Sequence, residues 1–587
     1  MIYMSKFQRG VQEGDKFDNR LQISIVAISS PGHYTLWNAL SAETLAGDLR
    51  GHFAGKVVVS VLRVRTENEF CDALLALKNT KPDLLGISVE CGGLETSLRL
   101  VQELYGEIWA NCEIFEAPGL VFGGKIPTYF PELFITRFPS SIVVIGEGEI
   151  PFRRIIQRYF DNVPESFDKI PNLAYMGQMG NFTCTNVEQP SSSNLFYPPS
   201  TDTVPELLSK GAGTIMVQAS RGCSWSKCSY CTVRSFRGGK KWESLPWSRT
   251  RKHMESLVSL GVREFEFCDD EFLGGRNSEH LERAHSIAED LSVLGKAFKN
   301  GIAFRIFLTP HIIFNLFDQK GNKNINLALE NLKQAGLVRV YFGIESGSEE
   351  QLNRYCRGTP VETVVGALDT LRKIGVGIDC GFIMFDPVAT LNDIDENIRF
   401  FRKHGLVENN QWPFRPMLAN QGAIFGQTFA NSGMPPDQNF MCYRYKFQDE
   451  QVQQIYDIVD TISEETRSLF YTLKVISKAH FDPLAETPVT KFAREVVIQN
   501  AQIYLDLMDN LVNAIGKSDA DSRISIAALE ARHRIMELVK FIAYQITNGI
   551  LSNIHRRVFQ EISKLLLEIG ITHEFDFTSA NLLRSVS

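Results

Sequence analysis

Three cysteines lie within nine residues of the chain, at positions Cys223, Cys228 and Cys231. Three thiolates with no nearby fourth fit a four-iron, four-sulfur cluster that keeps one iron open. A structural zinc ion is the alternative, but zinc needs four closed ligands, and a distant residue such as Cys268 would have to complete the set. The spacing therefore favours a [4Fe-4S] cluster whose open iron binds a substrate-like ligand and passes it an electron.

Polar residues also interrupt strands that would otherwise be entirely apolar. Period-two alternation in the segment 264–270 places Glu266, Cys268 and Asp270 on one face of the strand. A strand buried on both sides carries polar groups only where they are paired or where a polar ligand lies beside them. Each such residue alone could be a buried ion pair, but together they predict a polar-lined lumen. The further members of this set are Arg305, Arg339, Tyr341, Gly343 and Glu345.

These strands belong to a series of strands and helices that begins at Gly213. Five or six strand–helix units are too few for a closed eight-fold barrel but enough for an open one. The sequence therefore predicts a partial (β/α)6 barrel over residues 213–410. The cysteines directly follow its first strand, where such folds place their chemistry. The predicted strands are 214–219, 264–268, 302–308, 338–344 and 377–385.

An earlier strand–helix series spans residues 21–160 and predicts a doubly wound parallel sheet, whose ligands sit at the carboxyl ends of the strands. Residues 161–212 contain many prolines and a polar run, and we interpret them as a linker. Residues 411–587 turn strongly helical, and residues 1–20 form a polar arm. The prediction is an α/β protein with a Rossmann-like domain, a central partial barrel and a helical C-terminal domain.

The composition of the 587-residue chain is globular, with 44% hydrophobic and 22% charged residues. Its net charge of −7 argues against a nucleic-acid partner. The chain contains no apolar run of about 18 residues, which argues against a membrane span. The polar N-terminus and eleven cysteines predict reduced thiols in the cytoplasm rather than a secreted disulfide framework.

The segment 213–410 resembles the radical S-adenosylmethionine (SAM) superfamily. The Arg-Gly-Cys start of the motif at Arg221 and the aromatic Tyr230 before the last cysteine are typical of that superfamily. The spacing Cys-x4-Cys-x2-Cys departs from the usual Cys-x3-Cys-x2-Cys, which weakens the assignment to a subfamily more than the assignment to the superfamily.

This resemblance implies a set of SAM contacts. The motif Gly-Ile-Glu-Ser-Gly places Glu345 where a carboxylate binds the ribose hydroxyls of SAM. Asp270 stands where an acid faces the amino group, Arg357 where a cation pairs with the carboxylate, and the segment 381–387 where a strand lies against adenine. The implied SAM-binding residues are Tyr230, Asp270, Arg305, Glu345, Ser346, Arg357, Phe382 and Ile383.

The N-terminal series resembles the cobalamin-binding domain that precedes many radical SAM modules. The Gly-Gly-x-x-Pro turn at Gly123 and the Gly-Glu-Gly-Glu turn at Gly146 carry this resemblance. The Asp-x-His-x-x-Gly pattern that ligates cobalt in other cobalamin enzymes is absent from the sequence, so a domain that has lost cobalamin is the alternative. The implied cobalamin-binding residues are Ser29, Pro31, Ser88, Glu90, Gly92, Gly123, Gly124, Gly146, Glu147, Gly148 and Glu149.

The two resemblances together predict a cobalamin-dependent radical SAM enzyme that methylates an unactivated carbon of a small-molecule biosynthetic intermediate. The alternatives are a rearrangement, ring contraction or cyclisation without methyl transfer, a transfer-RNA methylthiotransferase, and a non-catalytic cobalamin sensor. The expected partners are a small-molecule or peptide substrate and an external electron donor of the flavodoxin or ferredoxin type. No catalytic residue is assigned beyond the cofactors, and the identity of the substrate stays open.

Overall fold

The computed structural model describes residues 20–29, 37–108, 119–177, 179–188, 191–211, 213–477, 487–549 and 556–570. Two mainly parallel sheets and a set of C-terminal helices make up the described part of the chain. The α/β fold class predicted from the sequence is confirmed.

The N-terminal sheet has seven strands, and its strands are almost continuously apolar because helices cover both of its faces. Its elements are β1 (Leu21–Ile28), α1 (Leu40–His52), β2 (Val57–Val64), α2 (Glu67–Thr80), β3 (Leu84–Val89), α3 (Leu94–Ile108), β4 (Gly119–Gly123), α4 (Lys125–Tyr129), α5 (Pro131–Arg137), β5 (Ile142–Val144), α6 (Glu149–Gln157), β6 (Leu173–Met176) and β7 (Phe182–Cys184).

The strand order is β2-β1-β3-β4-β5-β6-β7, with β1 to β5 parallel and the last two strands antiparallel. The first five strands follow the doubly wound order in which ligands bind at the carboxyl edge. The segment that the sequence analysis treats as a linker supplies β6 and β7, so the sheet extends to Cys184.

A second, five-stranded parallel sheet follows. Its elements and their connections are α7 (Val204–Ser209), β8 (Thr214–Val217), β9 (Ser220–Arg221), α8 (Val233–Phe236), β10 (Glu243–Ser244), α9 (Trp247–Ser259), β11 (Glu264–Phe267), α10 (Ser278–Gly295), β12 (Ala303–Leu308), α11 (Pro310–Ile313), α12 (Gln319–Gln334), β13 (Leu337–Glu345), α13 (Glu349–Arg354), α14 (Val361–Ile374), β14 (Gly377–Phe382) and α15 (Leu391–Lys403).

Its strands lie in the order β8-β11-β12-β13-β14, with each strand next to its successor along the chain. The sixth place of the predicted partial barrel is held by a single parallel bridge between Phe385 and Pro416. The backbone N–H of Met417 donates to the Phe385 carbonyl at 2.7 Å, and that of Met384 donates to Arg415 at 3.0 Å. The barrel is therefore open, with five full strands and a one-bridge sixth.

Along β13, the side chains of Val340, Phe342 and Ile344 are fully buried under the helices, whereas Tyr341 and Glu345 are only partly covered. The alternation predicted from the sequence is thus present, and the polar set faces the lumen.

The rest of the chain is β15 (Ala419–Asn420), α16 (Ile424–Asn431), β16 (Cys442–Tyr443), α17 (Glu450–Glu464), α18 (Arg467–Ile476), α19 (Pro488–Ala514), α20 (Ala520–Thr547) and α21 (Arg556–Glu568). These helices share one apolar core with the barrel. Within the described ranges, no helix has both the length and the apolar character needed to cross a membrane.

Candidate functional site

The three motif cysteines lie on the loop that follows β8 and β9, and all three are partly exposed free thiols. Burial raises the pKa of Cys223 to about 11 and that of Cys231 to about 12, so iron or another cation must supply the charge that ionises them. Among the described residues, no three His, Cys, Asp or Glu side chains are grouped closely enough to hold a single metal ion.

Glycine is required at the start of this loop. Gly222 has φ +80°, and a Cβ there would lie 2.4 Å from Nη1 of Arg237 and 2.5 Å from the Lys241 carbonyl. Its backbone N–H donates to Oδ2 of Asp270 at 3.0 Å. Asp270 thus lies directly beneath the cysteine loop, and burial raises the pKa of its carboxyl group.

Glu345 ends β13 in a strained conformation. Its φ is +70°, and the pairing with β14 shifts register between Gly343 and Glu345. A Cβ at Gly343 would lie only 1.9 Å from Oε1 of Glu345, and one at Gly381 would lie 3.6 Å from Oε2. Gly343 therefore leaves the space that the Glu345 carboxylate occupies at the carboxyl end of the strand, and Gly381 lies beside it.

Arg357 connects this end of β13 to the cysteine loop. Its guanidinium is buried, with Nη2 donating to the Gly343 carbonyl at 2.7 Å and Nη1 donating to Sγ of Cys228 at 3.7 Å. Burial alone would lower the pKa of Arg357, but the neighbouring Tyr230 and Cys228 raise it above its usual value. The side chain is therefore a fixed cation between β13 and the loop.

An apolar group lies on the other side of Glu345. Tyr230 and Ile383 pack together with Tyr355 and Met417, and the Ile383 backbone N–H donates to the Glu345 carbonyl at 2.8 Å. Burial raises the pKa of the Tyr230 hydroxyl well above its usual value, so this hydroxyl stays neutral. The structure thus brings Tyr230, Glu345 and Ile383 together, as the sequence predicts.

Two other predicted SAM contacts turn their side chains away from the lumen. The Ser346 hydroxyl is fully buried and donates to Oε1 of Gln351 at 2.6 Å. The Phe382 ring packs edge-on against Phe401, with ring centroids 4.6 Å apart. Only the backbone of these two residues is placed to meet a ligand.

Arg305 lies lower in the lumen. It pairs with Glu266 at 2.5 Å and with Asp379 at 3.5 Å, and Asp379 also pairs with Arg339 at 3.3 Å. In the strand register Arg305 lies beside Arg339, six residues before Glu345. The structure therefore does not bring Arg305 to the carboxyl end of the strands, and the sequence analysis missed Asp379 as its partner.

The predicted cobalamin contacts lie at the carboxyl edge of the N-terminal sheet, and this edge faces the cysteine loop. Gly92, Gly124 and Gly146 have φ between +74° and +95°. A Cβ at Gly124 would lie 2.8 Å from the Val89 carbonyl, which only glycine avoids. The remaining described residues of the set lie at the carboxyl ends of β1, β3, β4 and β5 or just beyond them, and Pro31 lies outside the described residues. They are Ser29, Ser88, Glu90, Gly123, Glu147, Gly148 and Glu149.

Contacts between the two edges are direct. Tyr129 of α4 shares a hydrogen bond of 2.9 Å with Ser235, and a Cβ at Gly146 would lie 3.3 Å from the Phe236 carbonyl. The Glu147 and Glu149 carboxylates cross this boundary to reach Arg221 and Arg237. The sequence analysis missed these pairs. The only signal for them is the opposite charge of two motifs that lie far apart in the chain.

Residues 217–401 match the Radical SAM superfamily. The cysteine loop and the partial barrel built around it are thus those of a radical SAM domain, which confirms the prediction made from the sequence.

Sequence similarity to known proteins extends beyond this domain. The chain is 28% identical over 378 residues to the 4′-phospho-dehydrooxetanocin synthase of Priestia megaterium, covering 62% of this chain and 48% of that protein. The chain therefore spans about half the length of this relative. An uncharacterised methyltransferase of Pyrococcus horikoshii is 27% identical over 342 residues, covering 57% of this chain and 67% of that protein.

Solved structures share the fold. The cobalamin-dependent SAM radical enzyme OxsB, solved with aqua-cobalamin and SAM bound, superposes with a TM-score of 0.76 at 20% identity, covering 94% of this chain and 84% of OxsB. The radical SAM methyltransferase TsrM of Kitasatospora setae, solved with cobalamin and a [4Fe-4S] cluster, has a TM-score of 0.56 at 15% identity, covering 82% of this chain and 99% of TsrM. The whole described architecture is thus that of cobalamin-dependent radical SAM structures.

Proposed function

We propose that this protein is a cobalamin-dependent radical SAM enzyme that transfers a methyl group to an unactivated carbon of a small-molecule biosynthetic intermediate. The observation that carries the proposal is the apposition of two carboxyl edges. The turns of the N-terminal sheet face the cysteine loop of the barrel, so two cofactors held at these edges would share one cleft. The names of both solved neighbours and of the Pyrococcus relative support this reading.

The residues of the barrel fit a cluster with SAM beside it. Cys223, Cys228 and Cys231 would hold the cluster, which supplies the electron that cleaves SAM. The Glu345 carboxylate lies against Gly343 and makes no side-chain hydrogen bond within the described residues, so both of its oxygens could accept hydrogen bonds from ribose hydroxyls. Arg357 presents a fixed positive charge next to Cys228, where it would pair with a carboxylate held at the open iron.

The N-terminal turns fit a large flat ligand at the carboxyl edge. Glycines with positive φ allow the backbone to approach such a ligand closely. Within the described residues the Glu90 carboxylate makes no hydrogen bond to another residue, and burial raises its pKa. It is therefore suited to meet the amide groups at the rim of a corrin. Bound cobalamin would supply the methyl group.

A rearrangement without methyl transfer is the second candidate. It is favoured by the relative from Priestia megaterium, whose name is that of a synthase rather than a methyltransferase. Both reactions would use the same cluster, SAM and cobalamin sites, and both need an external electron donor such as a reduced flavodoxin or ferredoxin. They differ in the fate of the SAM methyl group.

Anaerobic reconstitution followed by product analysis tests the proposal. We expect about four irons and one cobalt per chain. We also expect 5′-deoxyadenosine together with S-adenosylhomocysteine when the enzyme turns over with a suitable carbon substrate. Formation of 5′-deoxyadenosine alone would favour the rearrangement. Iron without cobalt after cobalamin has been offered would contradict both candidates.

A further inference from the structure

Four charged side chains meet at the boundary between the N-terminal sheet and the cysteine loop. Glu149 forms an ion pair with Arg221, and Glu147 reaches Arg221 at 3.3 Å and Arg237 at 2.7 Å. None of the four side chains is more than 11% exposed. Glu147 lies in the turn before α6 and Glu149 is the first residue of α6, whereas both arginines belong to the segment that carries the cysteines.

The arginines also brace the cysteine loop from within. Arg237 donates through Nη1 to the carbonyls of Arg221 and Lys241, at 3.1 and 2.5 Å. The backbone of Arg221 pairs with that of Glu243 in the short antiparallel ribbon of β9 and β10. Arg221 lies two residues before Cys223. A carboxylate that binds both arginines therefore holds both ends of the 221–243 segment at once.

We propose that Glu147, Glu149, Arg221 and Arg237 form a positioning lock, which fixes the cysteine loop against the carboxyl edge of the N-terminal sheet. This fixing of the loop depends on the chain alone and on no cofactor. Given the proposed function, the lock also sets the separation between the cluster and cobalamin. The acidic residues of the Gly-Glu-Gly-Glu turn then act through the arginines, while the backbone of that turn faces the ligand.

The contacts of the turn support these separate roles for its acidic side chains and its backbone. Both carboxylates already have charged partners, whereas Glu90, which follows β3 in the same sheet, makes no side-chain hydrogen bond within the described residues. A carboxylate that recognised the ligand directly would resemble Glu90. A buried charge that loses its nearest partner is poorly compensated. Loss of Glu149 leaves Arg221 only the longer contact to Glu147, so this loss should loosen the boundary.

A double-mutant cycle on the holoenzyme tests the lock. The variants are Glu149→Gln, Arg221→Gln and the combination of both, with Glu149→Asp and Arg221→Lys as conservative versions. Glu165→Gln is the matched control, because it breaks the Arg154–Glu165 ion pair within the N-terminal domain, away from the boundary.

The main readout is the microwave power that half-saturates the EPR signal of cob(II)alamin in the presence of the reduced cluster. A nearby, faster-relaxing cluster raises this power, so the measurement reports the separation of the two cofactors. We expect both single variants and the double variant to lose most of this enhancement to a similar extent, with iron and cobalt contents unchanged. The conservative variants should recover part of it, and Glu165→Gln should keep all of it.

Two results would overturn the lock. Full enhancement in Glu149→Gln would show that the pair does not set the separation. Additive losses, with cobalt lost only from the Glu149 variants and iron only from the Arg221 variants, would assign each residue to its own cofactor instead.

Hydrogen exchange separates failure of the lock from failure of the proposed function. If the wild-type protein binds no cobalamin, the proposed function fails, but amide exchange in the segments 145–150 and 221–231 still tests the boundary. The lock predicts that Glu149→Gln accelerates exchange in both segments together. Acceleration confined to 145–150 would overturn it.

Discussion

The two ends of the barrel lumen use the same residue types to different effect. In the lower lumen, ion pairs join Glu266, Arg305, Asp379 and Arg339, which lie on the four strands β11 to β14. At the carboxyl end, the Glu345 carboxylate makes no hydrogen bond to another side chain within the described residues, and the side-chain hydrogen bonds of Arg357 go to a carbonyl and a thiol. Glu345 and Arg357 attract each other there without a direct hydrogen bond. Charge in a lumen is thus a sign of a binding site only where protein groups have not already neutralised it.

The largest effect should come from the cluster itself. We expect Cys231→Ala to abolish iron binding and all formation of 5′-deoxyadenosine, because two thiolates cannot hold the cluster. Iron analysis and product chromatography check this. The matched control is Cys268→Ala, which should keep its iron; loss of iron from this variant would restore Cys268 as a fourth metal ligand.

Removing the ion pairs of the lower lumen should reduce the free energy of unfolding and leave SAM binding unchanged. Arg305→Met removes the partner of Glu266 and one partner of Asp379, and we expect the free energy of unfolding to fall by about 3 kcal/mol. Denaturant unfolding and SAM titration of the reconstituted protein measure the two quantities. An unchanged stability combined with weakened SAM binding would place Arg305 among the SAM ligands, as the resemblance implies.

At the carboxyl end of the strands, we expect a substitution to weaken SAM binding and to leave the free energy of unfolding nearly unchanged. Glu345→Gln should weaken SAM binding by about 2 kcal/mol, close to thirtyfold, because hydrogen bonds to a charged acceptor are lost. Its unfolding free energy should change little, since the carboxylate has no side-chain hydrogen bond to lose. Equilibrium binding of SAM checks the first expectation, and Glu266→Gln, which leaves Glu345 in place, serves as the control.

Two buried histidines should have the smallest effect at neutral pH, because their contribution to stability changes only as the pH falls below about 6.5. Burial lowers the pKa of His253 to about 3 and that of His311 to about 4. The unfolded chain takes up these protons from about pH 6.5 downward while the folded chain does not. Stability is therefore complete above that pH and falls as the pH drops towards the folded values, by up to about 1.4 kcal/mol per pH unit for each histidine.

The variant His253→Leu sharpens this test, because it removes one titrating group in α9 and leaves His311 near Trp225 in place. Relative to the wild type, the slope of the unfolding free energy with pH should decrease by up to about 1.4 kcal/mol per pH unit between pH 6 and pH 4. An unchanged slope would show that other groups dominate acid unfolding.

Local motifs predicted those parts of the site whose geometry is fixed by neighbouring residues. The cysteine spacing, Glu345 after its glycine and the alternation along β13 are of this kind, and the fold class followed from the order of strands and helices. Period two gives the face of a side chain but not its height in the barrel. This is why Arg305 was grouped with Glu345, although the strand register places it much lower.

Contacts between residues far apart in the chain determine the features that the sequence did not predict. The burial of Ser346 depends on Gln351 and Asn397, which come from two different helices. The apolar periodicity of residues 450–477 continues across residues 465 and 466, yet the structure divides it into α17 and α18. The pairing of Glu149 with Arg221 joins residues 72 positions apart, and no spacing rule links them.

The segment around Asn439 bears on the order in which the chain acquires its structure. Its carbonyl accepts a hydrogen bond from the Gly92 N–H at 2.7 Å, and its side chain accepts one from Leu94 at the start of α3. Met441 is buried in the core on one face of the N-terminal sheet. During synthesis, the N-terminal sheet therefore cannot complete its own core until the segment around Asn439, which lies 345 residues after Leu94, has been made. Ribosome-bound chains that end before Met441 should still expose this apolar face.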